Sequence, residues 1–291
     1  MTSTTSSLGG RPVGRIGYGA MQLAGPGVFG PPRDRDAALA VLRRAVELGV
    51  DHIDTSQYYG PDIVNEIIRE ALHPYPDGLR LVTKVGGRRD AEGGWHPAQE
   101  PDELRAGVED NLRTLGVERM DLVNLRLMPG VDVPLADQLA ELERLRDEGK
   151  LALIGISNVT HAQAEEALLH ADIACVQQGY SILDRSAEDM LELCIEHGLA
   201  FVPFFPLGSA FTGGPAKLAS DPAIATVAAK HEATPSQVAL AWLLHRDARV
   251  LLIPGTTSIA HLEENLAAAD VVLDAEDLAA LEGVVPAGPP I

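Results

Sequence analysis

The sequence predicts an α/β fold of parallel strands: a (β/α)8 TIM barrel with a short N-terminal strand or hairpin and extra C-terminal helical segments. Residues 1–291 are expected to form a single domain, with 1–14 as a flexible leader. Three observations predict this. Short apolar runs alternate about eight times with segments whose apolar residues recur at helical spacing, the pattern of parallel strands joined by crossover helices. No Pro/Gly/Ser-rich linker divides the alternation. The 291 residues also exceed the roughly 250 of a typical barrel by enough for loops or extra helices. An open doubly wound sheet has the same local signature, so periodicity leaves both arrangements standing. The G-x-G-x-x-G of a dinucleotide-binding open sheet is missing after the first strand, because Gly17-x-Gly19 does not complete it.

The elements follow in order. A short strand at 15–21 emerges through glycines, and 25–32 reads as a loop. Residues 34–48 carry Ala37, Leu39, Ala40, Leu42, Ala45, Val46 and Leu48 on one helical face, stopped by Gly49. Strands are expected at 52–54, 79–84, 120–125, 151–156, 173–177, 199–205 and 250–253. Helices are expected at 63–72, 101–115, 135–148, 161–170, 187–197 and 261–268, with two more inserted at 223–231 and 236–245.

Hydrophobic residues make up 46% of the chain and aromatics only 4%, so the core is expected to be aliphatic, as suits a buried parallel sheet. Asp and Glu number 42 against 23 Lys and Arg, a formal charge of -19 that would repel a phosphate backbone or an anionic membrane. Nucleic acid and membrane are therefore not expected partners. Cys175 and Cys194 sit in aliphatic contexts and read as buried reduced thiols. The N-terminus lacks an apolar run, and no stretch reaches the roughly 20 residues of a membrane span, so a cytoplasmic protein is expected. The nine histidines show no paired spacing with carboxylates at strand ends, so no metal is expected.

In a parallel barrel the chemistry gathers at the C-terminal ends of the strands. Asp54 ends the second strand and opens Asp54-Thr55-Ser56-Gln57-Tyr58-Tyr59-Gly60; Lys84 ends the third, flanked by apolar residues. These two could form a purely structural buried ion pair. At the fourth strand, period-two alternation puts Leu122, Asn124 and Arg126 on one face. His96 and Trp95 lie in a Gly/Trp/Pro loop, either a cap over a pocket or an ordinary exposed loop.

With Gly155-Ile156-Ser157-Asn158 and Pro254-Gly255-Thr256-Thr257-Ser258 ahead of His261-Leu262-Glu263-Glu264-Asn265, these motifs resemble the aldo-keto reductase family over about residues 16–281. The resemblance implies NADP(H)-dependent, reversible reduction of a small aldehyde or ketone, with NAD(H) as a second possibility. It makes Tyr59 the proton donor and Asp54 and Lys84 its supporting pair, with Lys84 expected to lower the phenol pKa. Tyr58 would be a wall residue or a secondary hydroxyl. The family commonly has histidine where this chain has Arg126. Either Arg126 enters the mouth, to meet oxyanion character or an anionic substrate group, or it turns outward and Asn124 supplies the polar contact.

For the cofactor, the resemblance implies that Ser157, Asn158 and Gln177 grip the nicotinamide carboxamide and that Phe204 takes a stacking position commonly held by tyrosine. Phe204 and Phe205 could instead be plain core residues. Leu207, Gly208 and Ser209 would line the pyrophosphate, and Gly255, Thr256, Thr257 and Ser258 would meet phosphate. Gly255 and His261 stand where the family often has lysine and arginine, while Glu264 and Asn265 match adenine-contacting positions. His52-Ile53-Asp54-Thr55, Asn124-Leu125-Arg126 and Pro203-Phe204-Phe205-Pro206-Leu207 are further similar to a bacterial subgroup of pyridoxal reductases. The rival expectation is a non-catalytic nucleotide-binding barrel acting as a regulatory or interaction subunit. Whether the chain is a monomer or a homo-oligomer is left open by the sequence.

Overall fold

The computed structural model describes residues 5–209 and 213–284. The expectation of a flexible leader is corrected over residues 5–14, which form an antiparallel hairpin of β1 (Thr5–Leu8) and β2 (Arg11–Gly14). Its cause is apolar burial: Leu8 and Val13 are 5% and 2% exposed and pack against Val82, Leu122 and Leu251 inside the barrel. The hairpin thereby closes the end of the barrel where the strands begin. Residues 1–4 of the expected leader lie outside the described residues.

The alternation then runs β3 (Tyr18–Gly19), α1 (Arg35–Glu47), β4 (His52–Asp54), α2 (Ile63–Leu72), β5 (Arg80–Arg89), β6 (Trp95–Ala98), α3 (Pro101–Leu115), β7 (Met120–Arg126) and α4 (Leu135–Asp147). It continues through β8 (Leu151–Ser157), α5 (His161–His170), β9 (Ile173–Gly179), α6 (Glu188–His197) and β10 (Ala200–Phe204). Five helices complete the described chain: α7 (Gly214–Ser220), α8 (Pro222–Lys230), α9 (Pro235–Arg246), α10 (Ile259–Ala267) and α11 (Ala275–Glu282).

Seven strands pair in parallel in the order β3-β4-β5-β7-β8-β9-β10. The eighth staff is the segment around 250–252, which bridges Val250 to Phe201 on one side and Leu252 to Ile16 on the other. Hydrogen bonds from Leu251 N to Phe201 O (2.9 Å) and from Leu252 N to Arg15 O (2.8 Å) close the ring. The 250–253 run expected as a strand is thus present as isolated bridges.

Helix ends obey local chemistry. Glu100 and Glu103 form a capping box on α3, as do Thr160 and Gln163 on α5, and Gly116 ends α3 in a left-handed turn. One large aliphatic cluster fills the space between the strands and the helices; a second, with Val82, Leu122, Cys175, Val202 and Leu251, fills the barrel itself. Two glycines are set by close approach. A Cβ on Gly17 would lie 2.2 Å from the His52 ring, and one on Gly155 would lie 2.2 Å from Asn124 Oδ1.

Candidate active site

The C-terminal ends of the strands converge on a cavity of about 500 Å3. Asp54 ends β4 and Lys84 lies within β5; both point inward, and their side chains are 6% and 4% exposed. Lys84 Nζ donates to Asp54 Oδ1 at 2.5 Å and to Thr55 O at 3.0 Å, while Gln177 Nε2 from β9 donates to Asp54 Oδ2 at 2.8 Å. The ammonium lies 5.1 Å from the centre of the Tyr59 ring. Burial, reinforced by the Asp54 carboxylate and opposed by Arg126, pushes the Tyr59 phenol well above its ordinary value. The net direction is opposite to the lowering expected beside an ammonium: loss of hydration outweighs the charge of Arg126, and the phenol keeps its proton.

A buried polar network backs these strand ends, and sequence reasoning missed it. Thr55 Oγ1 donates to Asn65 Oδ1 (2.8 Å), Asn65 Nδ2 donates to Asn111 Oδ1 (2.9 Å), and Thr83 Oγ1 donates to the same Asn111 oxygen (2.5 Å). The residues beside Asp54 and Lys84 are thus tied to α2 and α3. No sequence signal marks such a network, because its hydrogen-bonded partners are separated by up to 46 positions.

At the end of β7 the two alternatives separate. Arg126 enters the cavity, with its guanidinium 5.3 Å from the Phe204 ring centre and Nη1 3.4 Å from Ser157 Oγ. Asn124 is fully buried one layer below; Cys175 Sγ donates to its Oδ1 at 3.3 Å, and it does not line the cavity. The expectation that Asn124 reaches the substrate is corrected, because Gly155 opposite leaves room for its amide to fold into the barrel interior.

Tyr58, Tyr59, Asn158, Gln177, Phe204, Leu207, Gly208 and Gly255 all line the cavity. Asn158 holds φ +57 and donates from Nδ2 to Leu127 O at 2.8 Å, which fixes its side chain at the rim. Ser157 is fully buried beneath Arg126. Gln177 Oε1 is buried with no hydrogen-bond partner among the described residues. Phe204 meets Phe205 edge-on with ring centres 5.3 Å apart, and its place on the cavity wall excludes a purely core role.

A Cβ on Gly255 would lie 2.4 Å from Gly19 O, and one on Gly19 would lie 2.3 Å from Ile253 O. The Tyr18 hydroxyl donates to Thr256 O at 2.5 Å and pins the loop beyond. Ser258 caps α10 by accepting from His261 N, and Thr256 Oγ1 accepts from Ser258 N at 3.0 Å. Ser209, Thr256, Thr257, Ser258, His261, Glu264 and Asn265 lie outside the cavity lining. Thr257 and His261 are exposed, Asn265 is buried, and Glu264 Oε1 accepts from Thr234 Oγ1 at 2.5 Å. Met21, Gln22, Val28, Met128 and Pro129 also line the walls and were not singled out by sequence reasoning. Trp95, also on the wall, begins β6, so Trp95 and His96 of the expected Gly/Trp/Pro loop lie on a strand paired with β5.

A family model described as the aldo/keto reductase family matches residues 15–286. The chain belongs to the aldo/keto reductase family. Pyridoxine 4-dehydrogenase of Escherichia coli (strain K12) is 51% identical to this reductase over 289 residues, covering 98% of this chain and 99% of its own. An uncharacterized oxidoreductase of Schizosaccharomyces pombe is 37% identical over 279 residues, covering 96% and 89%. Among solved structures, an aldo-keto reductase from Klebsiella pneumoniae in complex with NADPH superposes with a TM-score of 0.82 at 28% identity, covering all of this chain and 98% of its own. An aldo/keto reductase from the same organism, in complex with NADP and acetate, gives 0.81 at 29% identity, covering 97% and 95%. The barrel is therefore that of an aldo/keto reductase, and the protein is an oxidoreductase enzyme. No observation favours the non-catalytic alternative. No helix among the described residues is long and apolar enough to cross a membrane.

Proposed function

We propose that this aldo/keto reductase uses NADP(H) to interconvert a small aldehyde or ketone and its alcohol, with pyridoxal and pyridoxine as the substrate pair. The observation that carries the reading is the convergence of Tyr59 with the Asp54–Lys84 pair on the wall of one cavity. The named relatives support it: one at 51% identity is a pyridoxine 4-dehydrogenase, and solved neighbours hold NADP or NADPH.

Two features support a fit for a nicotinamide cofactor. The buried Gln177 Oε1 is an acceptor suited to a carboxamide N–H, and the Gly19–Gly255 contact lets backbone line the groove where side chains would fill it. Gln177, Asn158 and Phe204 would hold the nicotinamide end, and Gly208, Gly255 and the capped start of α10 the phosphates. When bound, the reduced cofactor supplies a hydride.

Hydride arrival at a carbonyl carbon places negative charge on its oxygen. Tyr59, held neutral by burial, gives its Oη proton to that oxygen, and the resulting phenolate takes a proton back from solvent. Lys84, fixed by Asp54 and Thr55 O, sets a positive charge beside the ring as that phenolate forms. Arg126 lines the same cavity and matches a substrate with a phenolic oxygen beside its aldehyde, as in pyridoxal. A cytoplasmic location is part of the proposal, supported by two buried unpaired thiols; burial pushes Cys194 up to about 12.

The test follows oxidation of NADPH and, separately, NADH by the pure protein with pyridoxal and simple aldehydes. Pyridoxal reduction with NADPH preferred is expected. Activity confined to simple aldehydes would remove the pyridoxal assignment, and a clear NADH preference would reverse the cofactor assignment.

A further inference from the structure

The outer wall of the cavity is built from two segments far apart in sequence, and one side chain joins them. Val28 comes from the loop at 25–30, and Trp95 from β6. Arg89, the last residue of β5, lies between them. Its guanidinium stacks 4.1 Å from the Trp95 ring centre and 5.3 Å from that of Phe29. Its fork makes four hydrogen bonds: Nη1 donates to Val28 O at 3.0 Å, Nη2 to Gly27 O at 3.1 Å and Gly93 O at 2.7 Å, and Nε to Gly93 O at 3.0 Å.

The segment it grips is strained. Val28 holds φ +59, a conformation a β-branched residue adopts only where its surroundings impose it. Val28 O accepts from Gly60 N as well as from Arg89, so the carbonyl that Arg89 holds is bonded directly to the residue after Tyr59. Across the cavity wall Trp95 meets Tyr58 edge-on, ring centres 5.4 Å apart.

The geometry points to Arg89 as a positioning residue that assembles the Val28–Trp95 wall and thereby sets the affinity for ring-bearing carbonyl substrates without touching the reacting atoms. This rests on the carbonyl-reductase reading for its substrate and extends that reading to a residue outside the cavity lining. Lysine could not replace it, because a single ammonium cannot span three carbonyls while lying flat on an indole.

The test compares wild type with Arg89→Met on two aldehydes, benzaldehyde and propanal, the second too short to need the outer wall. KM for benzaldehyde is expected to rise about three- to tenfold, the worth of one aromatic contact, with kcat and both constants for propanal unchanged. Arg89→Lys is expected to behave as the methionine variant does. Arg89→Lys, which keeps the charge and loses the fork, decides the matter if Arg89→Met does not fold. Equal losses on both aldehydes, or none on either, would overturn the proposal.

A second readout needs no turnover. The chain has two tryptophans, and Trp242 is fully buried while Trp95 is 44% exposed. Acrylamide quenching of tryptophan emission therefore follows Trp95, and it should increase in Arg89→Met. If the wild type reduces neither of these aldehydes nor pyridoxal, the reaction assignment fails, and the quenching alone judges the clamp: an unchanged response refutes it.

Discussion

Replacing Lys84 with Met would leave the Asp54 carboxylate inside the barrel with Gln177 Nε2 as its remaining side-chain donor. Both members of the pair are nearly inaccessible, at 4% and 6% side-chain exposure, so solvent cannot compensate the carboxylate where it stands. Breaking a buried pair by removing one partner costs about 3–5 kcal/mol, and the surviving Gln177 bond places this case near 3. At about 2–4 °C per kcal/mol the melting temperature should fall by roughly 6–12 °C. The assay is thermal unfolding by circular dichroism of wild type, Lys84→Met, Asp54→Asn and the double variant. The double variant, which removes both charges, should recover much of the loss, giving a clear coupling in the cycle. A Lys84→Met loss below about 1 kcal/mol, or a double variant as unstable as the sum of the singles, would refute the claim that these groups are desolvated together.

Arg126→Leu should raise KM for pyridoxal by about tenfold or more, since a charged hydrogen bond is worth roughly 1.5–3 kcal/mol, while leaving KM for propanal near wild type; equal effects on both would remove the substrate contact. Gly255→Ala places a Cβ 2.4 Å from Gly19 O; it should destabilise the chain by about 1–3 kcal/mol and weaken NADPH binding in a fluorescence titration, and an unchanged Kd would detach that glycine from the groove. Asp277, 3% exposed, has its desolvation outweighed by Lys230 and His231, which hold its carboxyl below the usual range. A depressed folded value contributes stability above the unfolded pKa of about 4 that is lost as pH falls through the folded value. Asp277→Asn should thus melt lower than wild type at pH 7, with the gap narrowing below about pH 4, and a constant gap would exclude the linkage.

How much of this was legible before the structure depends on whether the determinants were local. The helices at 63–72, 101–115 and 161–170 match α2, α3 and α5 residue for residue, because periodicity and end signals lie within each segment. The β5–β6 hairpin was not legible. The strand was expected to end at Lys84, and the strand character of Gly86 and Gly87 comes from pairing with Ala98 and Pro97 across the turn. Alternation placed Asn124 and Arg126 on one face of β7 correctly but could not show depth, so only one of them reaches the cavity. Helices α7 and α11 were missed; the second depends on a capping box between Asp274 and Asp277 more than on an apolar stripe. The roles of Asp54, Tyr59 and Lys84 were legible through the resemblance to the family, whereas the direction of the Tyr59 shift required knowing how deeply the ring is buried.

Proton delivery from a single phenol oxygen is the step on which the chemistry turns, and Tyr59→Phe removes that oxygen alone. With NADPH and pyridoxal, turnover should fall by about 10²–10⁴ while the Kd for NADPH, read by fluorescence, stays within about twofold of wild type. Turnover close to wild type in the phenylalanine variant would contradict the account.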